Sequence, residues 1–174
     1  EPNPILLNHI EKNLKKIIKN INFYNFALSD KQSIVPLKVP IRNKKYKKDN
    51  YEEYYQMGRA SIHDQNKFKD FEIFNVKSQK LDNFNFANKI SFIKIDVEGH
   101  EMEVIKGGEK TIKKNKPILL VEIEEQYTKK NINDTLRYIN SLGYNSFYLN
   151  DNKLVNTNDL NKLSSFYNFI FKPL

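Results

Sequence analysis

Apolar residues along this chain recur first at helical and then at strand spacing. Leu7, Ile10, Leu14, Ile17, Ile18 and Ile21 fall three and four apart, with Glu11, Lys12, Lys15, Lys16 and Lys19 between them, which predicts an amphipathic helix. Asn3 before Pro4 supplies its start signal. The aromatic run Asn22 to Leu28 breaks at Ser29-Asp30-Lys31 and predicts a short strand and turn. Phe71 to Val76 alternates as a strand does, and Leu81-Asp82 opens a connection. Ile90 to Val97 is a β-rich run that passes into a helical pattern through Met102 and Ile105, with Gly107-Gly108 expected to cap it. A further helical turn or two over Glu109 to Asn115 leads to a buried strand, Ile118 to Ile123. Ile132, Leu136, Ile139 and Leu142 mark another helix, stopped by Gly143. Tyr144 to Leu149 and Phe166 to Phe171 read as late strands, with Asp151-Asn152 a hairpin turn. Strand and helix alternate, so an α/β fold is expected, with a mostly parallel sheet closed by antiparallel strands.

Residues 41–60 break this order. Lys44, Lys45, Lys47 and Lys48 surround Tyr46, and Tyr51, Tyr54 and Tyr55 follow without a period, so this stretch is expected to be a mobile loop or lid. No repeat or linker divides the 174 residues, and a single domain is expected over 1–174.

Composition narrows the chemistry. The chain has no Cys, which removes disulfides, thiolate nucleophiles and cysteine-ligated metals. Its net charge of +8 suggests polyanions, but 26 of the 29 basic residues are Lys, and Arg42, Arg59 and Arg137 are the only arginines. Phosphate and base recognition favours the guanidinium. A/T-rich codons would produce the same excess of Lys with Asn and Ile, so no nucleic-acid partner is expected. Absence of a long apolar run or signal-peptide pattern makes a cytoplasmic, non-membrane setting the expectation.

Ligands of open α/β sheets bind beyond the carboxyl ends of the strands. Asp96 and Glu98 end one predicted strand, Glu122 and Glu124 its expected neighbour, and Asp30 follows a third. Acids at such positions also cap helices or sit in solvated loops. The densest group is Asp96-Val97-Glu98-Gly99-His100-Glu101, where His100, flanked by carboxylates, suits a general base and equally suits a helix's first turn. Asp96-x-Glu98 also has the donors for Mg²⁺ or Mn²⁺, which leaves metal dependence undecided, and no residue is assigned as a metal ligand. All five glycines lie at or after Gly58, so the chain contains neither a dinucleotide-binding fingerprint nor a P-loop.

Ile93-Lys94-Ile95-Asp96-Val97-Glu98-Gly99-His100-Glu101, then Val104-Ile105-Lys106-Gly107-Gly108 and Pro117 to Ile123, closely resemble the FkbM family of S-adenosylmethionine-dependent methyltransferases. Glu1-Pro2-Asn3-Pro4, Ala27-Leu28-Ser29-Asp30, Gly58 to Ile62, Leu81-Asp82 and Ile170 to Pro173 agree in order, so the resemblance spans nearly the whole chain. It implies a Rossmann-like class I methyltransferase sheet with an antiparallel last strand. It also implies methyl transfer to a hydroxyl of a sugar, glycan precursor or other small polyhydroxylated acceptor. By the same resemblance Glu1 would accept from the cofactor ribose hydroxyls, Ala27 and Leu28 would lie against adenine with Asp30 nearby, and Asp96 would sit beside the transferable methyl. Glu98, His100 and Glu122 would surround the acceptor. In the family a first strand and a glycine-rich turn precede the Glu1 segment, so a chain truncated at its N-terminus is expected. Two other readings stand beside this one: a catalytically inactive, methyltransferase-like binding module, and a metal-dependent nucleotide-sugar glycosyltransferase using Asp96-Val97-Glu98.

Overall fold

In the computed structural model the described residues are 1–42, 45, 54–63, 69–123, 131–157 and 165–174. Glu124, Glu125 and, within the expected lid, residues 43, 44 and 46–53, with Tyr46 and Tyr51, lie outside them.

Two mixed sheets carry the fold. The smaller has the order β1 (Ala27–Leu28), β3 (Phe71–Gln79), β2 (Ser33–Pro40). The larger has the order β4 (Phe92–Ile95), β5 (Ile118–Glu122), β8 (Asn168–Pro173), β6 (Tyr144–Asn150), β7 (Lys153–Asn156). Around them lie the helices α1 (Pro4–Leu14), α2 (Glu101–Gly107), α3 (Glu109–Asn115) and α4 (Ile132–Ser141).

The expectation of a mostly parallel sheet is corrected. Only β1–β3 and β4–β5 pair in parallel, while β2–β3, β5–β8, β6–β8 and β6–β7 are antiparallel. A parallel neighbour needs a crossover, and α2 with α3 is the helical crossover between adjacent strands, β4 and β5. Hairpins and return strands build the remainder. At the β6–β7 turn Asp151 and Asn152 take φ of 47° and 60°, the left-handed pair that a two-residue hairpin requires. As expected, the last strand, β8, is antiparallel to both neighbours.

Element formation follows the apolar pattern where the apolar face finds cover. In α4 Ile132, Leu136 and Ile139 are buried at i, i+4, i+7, and the Asn131 side chain caps its start by accepting from the Asn133 amide at 2.8 Å. Phe169 and Phe171 of β8 are fully buried against Leu119 and Val121 of β5, each such side chain contributing about 1.5–3 kcal/mol. The N-terminal helix is shorter than its stripe predicts. It ends at Leu14 and leaves Ile17 78% exposed, because helical spacing without a surface to pack on does not sustain a helix. Strand β2 had no sequence signal, since Pro36 and Pro40 argue against a strand; it lies at a sheet edge, where proline is tolerated.

A second, smaller core joins Ala27, Leu37, Val39, Tyr55 and Val76. Tyr55, from the stretch expected to be a lid, is 2% exposed, and its hydroxyl donates to Glu72. Next to it the Arg42 amide donates to the Tyr54 carbonyl at 2.7 Å, and Gln56 N to Pro40 O at 2.8 Å. These ends of the stretch are therefore held to β2. No helix among the described residues is long and apolar enough to cross a membrane.

Candidate active site

Between the two sheets, alongside β1 and beyond the carboxyl end of β4, opens a cleft of about 220 Å³. Ala27 and Leu28 of β1 line one side together with Glu1, Pro2 and Leu6 at the start of α1. Asp96, Val97, Glu98 and His100 line the side that follows β4. Leu37 and the Gly58 to Ile62 segment close it. Six of the sequence-predicted residues thus meet: Glu1, Ala27, Leu28, Asp96, Glu98 and His100. Asp30 and Glu122 do not line the cleft. Asp30 stands just behind it, its Oδ1 accepting from Ser29 Oγ at 3.3 Å. Glu122 lies one residue past the paired positions Ile95 and Val121, level with Asp96 at the end of the neighbouring strand.

Local backbone chemistry fixes these groups. The Asn3 side chain, completely buried, caps α1 by accepting from Ile5 N at 3.0 Å and Leu6 N at 3.4 Å. Glu1 is tied into the same cap, with Oε1 accepting the Asn3 amide at 2.8 Å. At the other wall Asp96 is exposed and pairs with Lys94 Nζ at 2.5 Å. The chain then turns through two left-handed residues, Glu98 at φ 48° and Gly99 at φ 94°. Glycine adopts that conformation readily; for Glu98 it is strained, the kind of cost that persists where the surroundings impose it. Two bonds hold it: Ser61 Oγ donates to the Glu98 carbonyl at 2.9 Å, and the Gly99 amide donates to Glu101 Oε1 at 2.7 Å.

His100, 8% exposed, has both ring nitrogens engaged by protein. Its Nε2 lies 3.0 Å from Ser29 Oγ, and its Nδ1 lies 2.8 Å from His63 Nε2. Since the Ser29 hydroxyl donates to Asp30, it accepts from His100, which places the neutral imidazole's proton on Nε2 and its lone pair on Nδ1. Glu103 Oε2 stands 3.5 Å from the same Nδ1. Sequence reasoning missed Ser29, Ser61, His63 and Glu103 as site residues. His63 and His100 are 37 positions apart in sequence and meet where the segment 61–63 lies against the turn after β4.

The donor set suits a cofactor such as S-adenosylmethionine. Apolar Ala27, Leu28, Ala60 and Ile62 offer a surface for a planar base, and carboxylates at Glu1 and Asp96 complement hydroxyl donors and positive charge.

A family model described as the methyltransferase FkbM domain matches residues 1–146. In fold the chain is similar to the crystal structure of the methyltransferase FkbM from Methylobacillus flagellatus KT, with a TM-score of 0.58 and 14% sequence identity over 99% of this chain and 35% of that one. This chain therefore spans about a third of that protein's length, and at such identity the likeness is one of fold. Curated protein sequences give no match. With the family model covering most of its length, and the cleft formed at the strand ends where the matching motif lies, the chain belongs to the FkbM methyltransferase family.

Proposed function

We propose that this chain carries the cofactor and acceptor site of an S-adenosylmethionine-dependent O-methyltransferase built on a Rossmann-like sheet, acting on a hydroxyl of a sugar or another small polyhydroxylated molecule. The observation that carries the reading is the convergence of Glu1, Ala27, Leu28, Asp96 and Glu98 on one cleft within a chain of the FkbM family. Glu1, steadied by the Asn3 amide, would accept from the ribose hydroxyls, and Ala27 and Leu28, which line the cleft, would hold the adenine. Asp96, which lines the same cleft, would complement the positive charge of the sulfonium.

S-adenosylmethionine, when bound, supplies a methyl group on a sulfonium, ready for displacement. The chain's share is placement and proton removal. A carboxylate at the β4 end, Asp96 or Glu98, would take the acceptor hydroxyl's proton as the oxygen gains the methyl group. His100, held on both nitrogens, positions this turn. Its hydrogen bonds favour that role over direct attack on the acceptor proton. Because charge is neutralised in the transfer, the apolar lining of the cleft aids it.

Transfer of labelled methyl from S-adenosylmethionine to a panel of monosaccharides and polyols tests the reading. Transfer that falls by roughly 10²–10⁴-fold in Asp96→Asn or Glu98→Gln supports it. Cofactor binding without transfer to any hydroxyl acceptor would overturn the acceptor class.

A further inference from the structure

His63 and Glu103, which the methyl-transfer reading does not use, meet the Nδ1 edge of the His100 ring and form a ligand set with it. His63 Nε2, His100 Nδ1 and a Glu103 carboxylate oxygen lie within 4.8 Å of one another. We propose that they bind a single divalent transition-metal ion of the zinc class, with water in the fourth position.

Chemistry and placement both support this. Two imidazoles and one carboxylate are the protein ligands of a common four-coordinate zinc site that keeps one position open. Imidazole nitrogen selects zinc and its neighbours over Mg²⁺ or Ca²⁺, which prefer all-oxygen shells. His100 already has the tautomer required, and its Nδ1 accepts from His63 Nε2, so binding an ion moves the His63 proton to that ring's own Nδ1. Ser29 Oγ takes the Nε2 proton of His100 at 3.0 Å and passes a hydrogen bond to Asp30 Oδ1 at 3.3 Å, so the Nδ1 lone pair faces His63 and Glu103. A histidine ligand with its other nitrogen anchored through an outer relay is the usual arrangement of a metal-binding imidazole.

The scaffold fixes all three ligands by independent means. His100 immediately precedes α2, and Glu103 lies in its first turn, so their separation is set by the helix. His63 is placed through Ser61, which accepts the His63 amide at 3.1 Å, donates to the Glu98 carbonyl at 2.9 Å and bridges to Lys38 of β2. An ion about 2.0–2.1 Å from both nitrogens sets them roughly 3.3 Å apart in tetrahedral geometry. From the present 2.8 Å this requires the two rings to part by about half an ångström.

Calorimetric titration of Zn²⁺ into the chelator-stripped full chain tests the site without any need for methyl transfer. One ion per chain is expected, with affinity lost by more than roughly 100-fold in His63→Ala and Glu103→Ala, and lowered about 10–100-fold in Ser29→Ala. His9→Ala, on α1, should match the unmodified chain. Absence of saturable binding, or equal affinity in His63→Ala, would overturn the proposal. Should the variants fail to fold, the Co²⁺-loaded unmodified chain decides. Intense visible bands of a four-coordinate ion support the site, and the faint spectrum of a six-coordinate ion contradicts it.

Discussion

Gly107 packs directly beneath Ser29: a Cβ on Gly107 would stand 1.9 Å from the Ser29 carbonyl oxygen and 2.7 Å from its carbonyl carbon. Gly107 is the last residue of α2 and Gly108 its C-cap, and the missing side chain of Gly107 lets the helix meet the turn after β1. That same Ser29 holds His100 Nε2, so the contact sets the spacing between the β1 turn and the β4 end.

Gly107→Ala should therefore destabilise the fold by about 1–3 kcal/mol, since backbone must move to admit the methyl. Gly58→Ala, which would meet nothing within 4 Å, should stay within about 0.5 kcal/mol. Urea denaturation of the two variants checks this, and equal stabilities would refute the close-packing account.

Asp82 caps a helix from a distance. Gly108, ahead of α3, has no capping side chain, and Asp82 Oδ1 and Oδ2 instead accept from the Thr111 and Lys110 amides at 2.8 and 3.1 Å. Asp82→Ala should cost about 1–2 kcal/mol in thermal or chemical unfolding, with Asp82→Asn keeping part of the effect.

Tyr144 is buried at 2% exposure, and its hydroxyl has no hydrogen-bond partner among the described residues. Burial pushes its pKa up to about 12. Tyr138, donating to Glu109 at 2.7 Å, is likewise pushed up to about 12, first by burial and then by that bond. A folded pKa above the unfolded value of 10 means that the neutral phenol stabilises the fold below pH 10 and that this contribution is lost as the pH rises towards 12. Tyr144→Phe should be neutral to about 1 kcal/mol stabilising at pH 7 and should flatten the alkaline loss. Denaturant unfolding across that pH range, with tyrosinate absorbance, is the measurement. A clear loss of stability at neutral pH would show that the hydroxyl has a partner.

Ser61 links β2, the Glu98 turn and His63 through buried bonds. Ser61→Ala leaves the Glu98 carbonyl and the His63 amide without it, and should cost about 1–3 kcal/mol. Rescue by Ser61→Thr, if the methyl fits, would separate the hydroxyl's role from that of packing.

From β4 to β8 the elements other than β7 are legible because their apolar spacing coincides with surfaces that cover it: Leu119 and Val121, Phe169 and Phe171, and the Ile132, Leu136, Ile139 stripe are all buried. Ile17 and Ile18 keep the helical spacing but lack cover, so the spacing predicts a longer helix than forms. Pro36 and Pro40 concealed β2, whose edge position excuses them. Mixed pairing was illegible because strand direction depends on connections between distant segments. The acid cluster at Asp96 and Glu98 was legible as a local motif. The His63–His100–Glu103 grouping was not, since it arises where the segment 61–63 lies against the turn after β4.

The most direct test is calorimetric titration of S-adenosylmethionine into this chain and into a form extended upstream of Glu1. Saturable one-to-one binding, weakened at least about tenfold by Glu1→Ala and by Asp96→Ala, is the result expected of a cofactor cleft between β1 and β4. Failure of both forms to bind, or binding indifferent to both substitutions, would contradict it.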